Sequence, residues 1–155
     1  MFLIASILSV LLSAQNCALS ATAHEAINTA SQRYSIDAHL LEAIAFVEST
    51  CNERAVSNAG AVGLMQVMPR ESGRGFEDRP TRAQLYDVRV NVNASAKTLA
   101  YMRDVICAKY EPRADRLICA LGAYYGGTQV YYSHRLMSYE QAYASKVLRA
   151  RGVMQ

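Results

Sequence analysis

The sequence predicts a mainly α-helical protein built as a single domain. Apolar residues recur at three- and four-residue intervals in several segments, which is the spacing of one face of a helix. No segment of useful length alternates apolar and polar residues as a half-buried strand does. The 155 residues are enough for one domain with a substantial core, and the apolar fraction of 52% excludes a disordered chain.

Five helical segments are expected in order along the chain. Ala26 to Tyr34 forms a short first helix, and Asp37 supplies the N-cap of a second helix that runs to about Ser49. Gly63 to Met68 fits either a strand or a helical turn ended by Pro69, so a small β element is possible there. The remaining helices are expected at Asn91 to Lys109, Arg116 to Tyr124 and about Tyr139 to Arg149, with polar loops at Thr50 to Ala61 and Glu71 to Pro80.

The N-terminus has the pattern of an export signal. Met1 to Leu12 is nearly all apolar, which is short for a membrane helix and typical of the hydrophobic region of a signal peptide. Ala21-Thr22-Ala23 matches a small-x-small cleavage site before His24. We therefore expect a signal peptide at 1–23, a mature domain at 24–155 and a periplasmic or secreted product. An uncleaved N-terminal anchor is the alternative.

The charge and the cysteines limit the possible partners and cofactors. The formal net charge of +3 is too mild to indicate nucleic-acid binding. Cleavage before His24 would remove Cys17, so one disulfide and one remaining thiol are expected in an oxidising compartment. We favour Cys107 with Cys119, which flank a turn, over Cys51 with either of them. The cysteine spacing and the scattered histidines do not fit a zinc site, and no metal or other cofactor is predicted.

Glu48 lies at the edge of an apolar helix face. Leu41, Ile44 and Glu48 are spaced i, i+3 and i+7, so they share one side of the second helix. A carboxyl in that place is either paired or held in its protonated form by a low dielectric. A carboxylic acid that keeps its proton near neutral pH can act as a general acid. With the run Gly63-Leu64-Met65-Gln66-Val67-Met68-Pro69 that follows it, this residue suggests a glycan-cleaving site.

Five segments together carry a family resemblance. They are Leu40 to Ser49, Gly60 to Pro69, Asn91 to Ala96, Ala120 to Gly127 and Tyr143 to Leu148. In content and order they resemble the catalytic domain of soluble lytic transglycosylases, which has a lysozyme-like, goose-type fold and acts on peptidoglycan. The resemblance covers about residues 26–149 and implies that the mature chain is a catalytic domain of this type.

The resemblance also implies roles for individual residues. Glu48 would be the sole catalytic acid and base, and Ser57 would hydrogen-bond the substrate's N-acetyl group or a nearby sugar group. Met65 and Gln66 would line the cleft, and Tyr124 would lie near Glu48 and orient its carboxyl. On spacing alone, Met65 and Tyr124 fit core packing equally well or better.

The chain departs from the family pattern at four positions. Tyr125 and Gly126 stand where the family usually has Asn and Ala, and Tyr125 could stack on a sugar ring or narrow the cleft. Ser95 replaces a usual Gly. Cys51 replaces a common aromatic residue, which indicates a buried Cys or a disulfide particular to this chain. None of these changes removes the proton-transfer group.

The resemblance implies a peptidoglycan lytic transglycosylase that cleaves the MurNAc–GlcNAc β-1,4 bond and leaves 1,6-anhydro-MurNAc ends. Its small size is consistent with local opening of the wall for a secretion, conjugation or pilus apparatus. One alternative is a lysozyme-type muramidase that hydrolyses the same bond with water. The other is a non-catalytic glycan-binding assembly component that keeps the cleft.

Overall fold

The prediction of a mainly helical domain is confirmed. A computed structural model describes residues 17–72, 79–111, 113–127 and 138–153. Within these ranges the α-helices are α1 (Ala21–Tyr34), α2 (Ala38–Ser49), α3 (Val88–Tyr101), α4 (Arg113–Gly126) and α5 (Ser138–Val153). Short 3-10 helices at Arg70–Ser72 and Gln84–Tyr86 precede α3, and a π-helical turn at Met102–Ile106 follows it.

Helix α1 begins earlier than the predicted start at Ala26. Ser20 caps it, because its hydroxyl accepts a hydrogen bond from the Ala23 amide at 3.1 Å. The expected cleavage site before His24 therefore falls in the first turn of a capped helix. The apolar stretch from Met1 to Leu12, on which the signal prediction depends, lies outside the described residues.

The full chain pairs all of its cysteines, including Cys17, which the expected cleavage before His24 would remove. Cys17 is joined to Cys51, and Cys107 is joined to Cys119. All four cysteines of the chain lie in the described ranges, and none of them is free. Cleavage before His24 would remove Cys17 and leave Cys51 without this partner.

The small β element consists of isolated bridges around one tight turn. Val62 pairs with Val67 through two backbone hydrogen bonds of 2.9 and 3.0 Å, and it also bridges to Val56. The turn between the paired valines closes with a hydrogen bond from the Gln66 amide to the Gly63 carbonyl at 3.1 Å. This turn lies beside the end of α2, where it can form one wall of a cleft.

The core lies between the helices and holds α2 at its centre. Helix α1 packs against α3, α4 packs against α5, and α2 packs against α5. Leu41 and Ile44 of α2 are fully buried, as their helical spacing predicts. Because α2 is fixed on several sides, the residues at its C-terminal end are held in place. In the part of the chain that is described, no helix combines the length and apolarity needed to cross a membrane.

Candidate active site

Glu48 lies in an open cleft of about 810 Å³. The last turn of α2 supplies Glu48, the loop and turn from 57 to 68 supply one wall, and α3, α4 and the start of α5 supply the rest. Among the described residues that line this cleft, Glu48 is the sole carboxylate. The lining residues used below are Ser57, Gln66, Met68, Arg79, Ser95, Tyr124, Tyr125, Gly126 and Tyr139.

The carboxyl of Glu48 is held by a tyrosine from α5. The hydroxyl of Tyr143 donates a hydrogen bond of 2.6 Å to Glu48 Oε1. Burial raises the pKa of Glu48 above its ordinary value of 4.5, and the Tyr143 hydrogen bond and the positive charge of Lys146 partly offset that rise. Burial also raises the pKa of Tyr143, so its hydroxyl stays protonated and remains a donor.

Four tyrosine rings form a cluster beside this carboxyl. Tyr143 stacks on Tyr125 with ring centroids 4.6 Å apart and an interplanar angle of 17°, and it stacks more loosely on Tyr124 at 6.4 Å. Tyr139, one helical turn before Tyr143, meets Tyr125 at 6.3 Å with a tilt of 58°. The packing restricts the Tyr143 ring and therefore fixes the direction of its hydrogen bond to Glu48.

Tyr124 lines the cleft but does not hydrogen-bond the candidate acid. Its hydroxyl pairs with Ser95 Oγ at 2.8 Å and donates to the Met65 carbonyl at 3.1 Å. Burial and the nearby negative charge of Glu48 raise the pKa of Tyr124. Tyr124 therefore braces the cleft wall, and the contact expected from it is made by Tyr143.

Gln66 and Ser57 lie on the same wall of the cleft. The Gln66 side-chain amide nitrogen donates to the Ala55 and Gly63 carbonyls at 3.2 and 3.0 Å. Since both donor hydrogens are used, the Gln66 carbonyl oxygen is the group left for a ligand. Ser57 Oγ accepts from the Ala61 amide at 3.0 Å, so its own hydroxyl hydrogen can still be donated.

The prediction that the Met65 side chain lines the cleft is wrong. This side chain is 0% exposed and belongs to the core. Met65 contributes its backbone instead, because its carbonyl accepts from Tyr124. The methionine that lines the cleft is Met68, three residues further on, where the turn brings the chain back to the surface.

A buried asparagine holds the turn in place. Asn91 of α3 is 0% exposed, accepts from the Met65 amide at 2.8 Å, and donates to the Val62 and Leu85 carbonyls at 2.8 and 3.0 Å. Both hydrogens of the Asn91 side-chain nitrogen and its side-chain oxygen are thus hydrogen-bonded. Gly63 has a φ of +79°, and a Cβ built on it would come within 2.3 Å of Asn91 Nδ2. The turn therefore requires glycine for both conformation and space.

Ser49 connects α2 to this turn. Its hydroxyl donates to the Leu64 carbonyl at 2.7 Å and lies 3.1 Å from the Ala45 carbonyl within the helix. The Ser49 hydroxyl is therefore bonded both within α2 and across to the turn. Ser49, the residue after Glu48, thus helps to fix the distance between α2 and the wall of the cleft that the turn forms.

The departures from the family pattern have structural explanations. Cys51 is bonded to Cys17, and the Ser95 hydroxyl pairs with Tyr124. At Gly126 a Cβ would lie 2.1 Å from Oε1 of the buried Glu140, so alanine there would require the Glu140 side chain to move.

Sequence reasoning assigned no role to Tyr143, Asn91 or Tyr139. Tyr143 and Asn91 lie in segments that carried the family resemblance, but their partners are remote in sequence. Tyr143 is 95 residues from Glu48, and Asn91 is 26 residues from Met65. The one available signal was the i, i+4 spacing of Tyr139 and Tyr143 on one helix face.

The fold and the site define a lysozyme-like helical domain with one half-buried carboxyl in its cleft. The chain belongs to the transglycosylase SLT domain family, whose profile matches residues 25–147.

Individual relatives agree with this assignment. A membrane-bound lytic murein transglycosylase C from Glaesserella parasuis serovar 5 (strain SH0165) is 36% identical over 121 residues, which cover 72% of this chain and 33% of that protein. The protein of the same name from Actinobacillus pleuropneumoniae serotype 5b (strain L20) is 44% identical over 79 residues, 47% of this chain and 22% of its own. The chain thus spans a third or less of the length of these curated relatives.

One solved structure has the same fold. It is an inactive mutant of the lytic transglycosylase Slt from Pseudomonas aeruginosa, with a TM-score of 0.60 over 84% of this chain and 23% of that chain. At 19% identity this likeness concerns the fold alone.

Proposed function

We propose that the protein is a peptidoglycan lytic transglycosylase that cleaves the β-1,4 bond between MurNAc and GlcNAc. The observation that carries the proposal is the half-buried carboxyl of Glu48, the sole carboxylate among the described residues of the cleft, whose raised pKa favours the protonated form that a general acid needs. Membership of the transglycosylase SLT domain family supports the same reaction.

One carboxylate is enough if the substrate supplies the nucleophile. Glycosidases ordinarily use two carboxyl groups, whereas the described cleft lining holds one. Glu48 gives its proton to the glycosidic oxygen as the C1–O bond breaks, and the MurNAc N-acetyl oxygen bonds to C1. The Glu48 carboxylate then takes the proton of the MurNAc 6-hydroxyl, and O6 displaces the N-acetyl oxygen from C1. The products are a free GlcNAc 4-hydroxyl and a 1,6-anhydro-MurNAc end, and no water is consumed.

Other residues of the cleft would position the glycan. The free hydroxyl hydrogen of Ser57 suits the acetamido carbonyl, and the Gln66 carbonyl oxygen suits a sugar hydroxyl or N–H. Tyr143 is a positioning residue for Glu48, since it bonds the carboxyl and is itself held by stacking. Tyr124 and Met65 act indirectly by bracing the wall, and Tyr125 is exposed to the glycan.

The first prediction concerns Glu48→Gln. We expect this change to abolish release of anhydro-muramic products from purified peptidoglycan, measured by mass spectrometry, because the shape is kept and the proton is lost. Products with reducing ends in the wild type would indicate a lysozyme-type hydrolase. Unchanged release by the variant would contradict the role of Glu48, and absence of release by the wild type would favour a glycan-binding component.

A stability measurement controls for misfolding of this variant. The folded-state pKa of Glu48 lies above its ordinary value of 4.5, so folding favours its proton, and stability is lost as pH rises through the raised value. Glutamine cannot ionise. We therefore expect Glu48→Gln to melt at or above the wild-type temperature at neutral pH, with the difference disappearing below pH 4.5.

We also propose export through the N-terminal signal and local opening of the wall for a secretion, conjugation or pilus apparatus. Export is supported by the apolar run from Met1 to Leu12 and by two disulfides, which need an oxidising compartment. Crosslinking in the native host tests the partnership. Capture of subunits of an envelope-spanning complex by the wild-type protein would support it. Normal assembly of that apparatus in a strain that lacks this protein would contradict it.

A further inference from the structure

The cleft contains an exposed aromatic corner that the reaction at Glu48 does not use. Tyr125 at the end of α4 is 55% exposed, and Tyr139 at the start of α5 is 50% exposed. Both line the cleft that contains Glu48. Large side chains that are exposed together in a groove mark a ligand surface more often than chance surface composition does.

The two rings are arranged to hold something between them. Tyr125 stacks on Tyr143 through one face at 4.6 Å, yet it keeps more than half of its surface open. Tyr139 is tilted by 58° from Tyr125 with centroids 6.3 Å apart. In a parallel stack each ring would cover a face of the other. In the tilted arrangement a space remains between the rings, with one ring below it and the other beside it.

The chemistry of the corner matches an amino sugar. A β-1,4-linked GlcNAc or MurNAc ring has its substituents equatorial, so its faces present axial C–H groups that pack against the negative face of an aromatic ring. The tyrosine hydroxyls can meanwhile hydrogen-bond the sugar's hydroxyl or acetamido groups.

The position of the corner relative to Glu48 determines which sugar it would hold. Tyr143 covers one face of Tyr125 and hydrogen-bonds the Glu48 carboxyl. A sugar packed on the other face of Tyr125 is thus separated from Tyr143, and from the carboxyl that Tyr143 holds, by the thickness of the Tyr125 ring. It cannot be the ring whose C1 reacts at Glu48, and it must lie further along the same strand.

We propose that Tyr125 and Tyr139 form an additional saccharide subsite, which binds a non-reacting amino sugar of the glycan strand and makes cleavage depend on strand length. This inference rests on the proposed function. Tyr139 is its new element, and Tyr125, at a position where the family usually has Asn, supplies the stacking face.

The test is a binding series on the Glu48→Gln protein, which holds glycan without cutting it. Calorimetry with chitooligosaccharides of two to six GlcNAc units gives affinity against length for the Glu48→Gln parent and for the parent carrying Tyr139→Ala or Tyr125→Ala. We expect both added changes to weaken the longer oligomers roughly three- to tenfold, with no change for the shortest one that binds. Tyr139→Phe, which keeps the ring, should retain most of the affinity.

Tyr86→Ala is the matched control, because Tyr86 is similarly exposed at 45% and does not line the cleft. Equal affinity of the parent and Tyr139→Ala at every length would overturn the subsite while leaving the reaction at Glu48 in place. A parent that binds no oligosaccharide would also overturn it. If the wild type releases no fragments from peptidoglycan either, the proposed function fails as well.

Discussion

The chemistry of the site depends on the balance of forces on one carboxyl group. Burial raises the pKa of Glu48, and the hydrogen bond from Tyr143 and the charge of Lys146 lower it in part. Burial thus favours the protonated carboxyl, and the hydrogen bond and the charge favour the carboxylate, which are the two forms that the proposed reaction needs in turn. Tyr143 has two roles, since it sets both the direction and the pKa of the group it holds.

Tyr143→Phe tests both roles, because the pKa of Glu48 and the orientation of its carboxyl are reported by different measurements. Loss of the hydrogen bond should raise the pKa of Glu48 further, so the alkaline limb of the pH–activity profile should move to higher pH. The rate at the optimum should fall roughly tenfold or more, because the carboxyl is no longer oriented. Initial rates on peptidoglycan across pH 4–9 measure both. An unmoved alkaline limb would mean that Tyr143 has only a packing role.

Glu48 could be predicted at this scale, whereas its partner could not. The acid is recognisable because its burial follows from the spacing of Leu41 and Ile44 on the same helix, which is local information. Tyr143 and Asn91 act across long sequence separations, and one sequence holds no record of which remote side chains meet. Met65 was misplaced because the turn directs its side chain into the core and only its backbone toward the cleft wall.

At the scale of elements, the site is a helix end held at a fixed distance from a tight turn. Ser49 binds the turn from α2, and Asn91 binds it from α3. Helix spacing was readable from the sequence, but helix ends were less so. Helix α1 starts at a serine cap ahead of the apolar pattern, and α3 ends in a π-helical turn that the continuous pattern to Lys109 concealed.

Asn91→Ala tests how the turn is held. It removes the side-chain partner of the Met65 amide and one hydrogen bond each from the Val62 and Leu85 carbonyls, so we expect a loss of about 2 kcal/mol of unfolding free energy. Urea denaturation measures the loss, and Asn58→Ala, at an exposed position in the neighbouring loop, should cost less than about 0.5 kcal/mol. Equal stability of the two variants would show that other contacts hold the turn.

At the scale of the whole molecule, the disulfide between Cys17 and Cys51 ties the chain ahead of α1 to the end of α2. Cys51 lies three residues after Glu48 and has a left-handed backbone with φ +64°. This link was missed from the sequence because the predicted cleavage site removed Cys17. Cys107 and Cys119, which flank one turn, were easier to pair because they are close in sequence.

The two bridges differ in the length of chain they close. The Cys17–Cys51 loop has a separation of 34 residues and the Cys107–Cys119 loop one of 12. Replacing both members of a bridge by serine should cost about 4 kcal/mol for the first and about 3 kcal/mol for the second on chain-entropy grounds. Thermal unfolding of the oxidised variants measures this, and a negligible effect of the first pair would mean that the N-terminal link does not stabilise the fold.

The mass of the exported protein after alkylation shows whether the Cys17–Cys51 bridge is present in it. If processing spares Cys17, alkylation without reduction should label no cysteine. Cleavage before His24 would instead leave Cys51 as a single reactive thiol.

The tyrosine cluster has a practical consequence for optical spectroscopy. The chain contains ten tyrosines and no tryptophan, so its near-ultraviolet emission is not dominated by indole, and four of those phenols lie beside or within the cleft. Emission from a phenol is sensitive to a carboxylate that accepts its hydrogen bond and to a molecule placed against its ring. The unlabelled protein should therefore report both the ionisation of its acid and the arrival of a glycan as changes in emitted light.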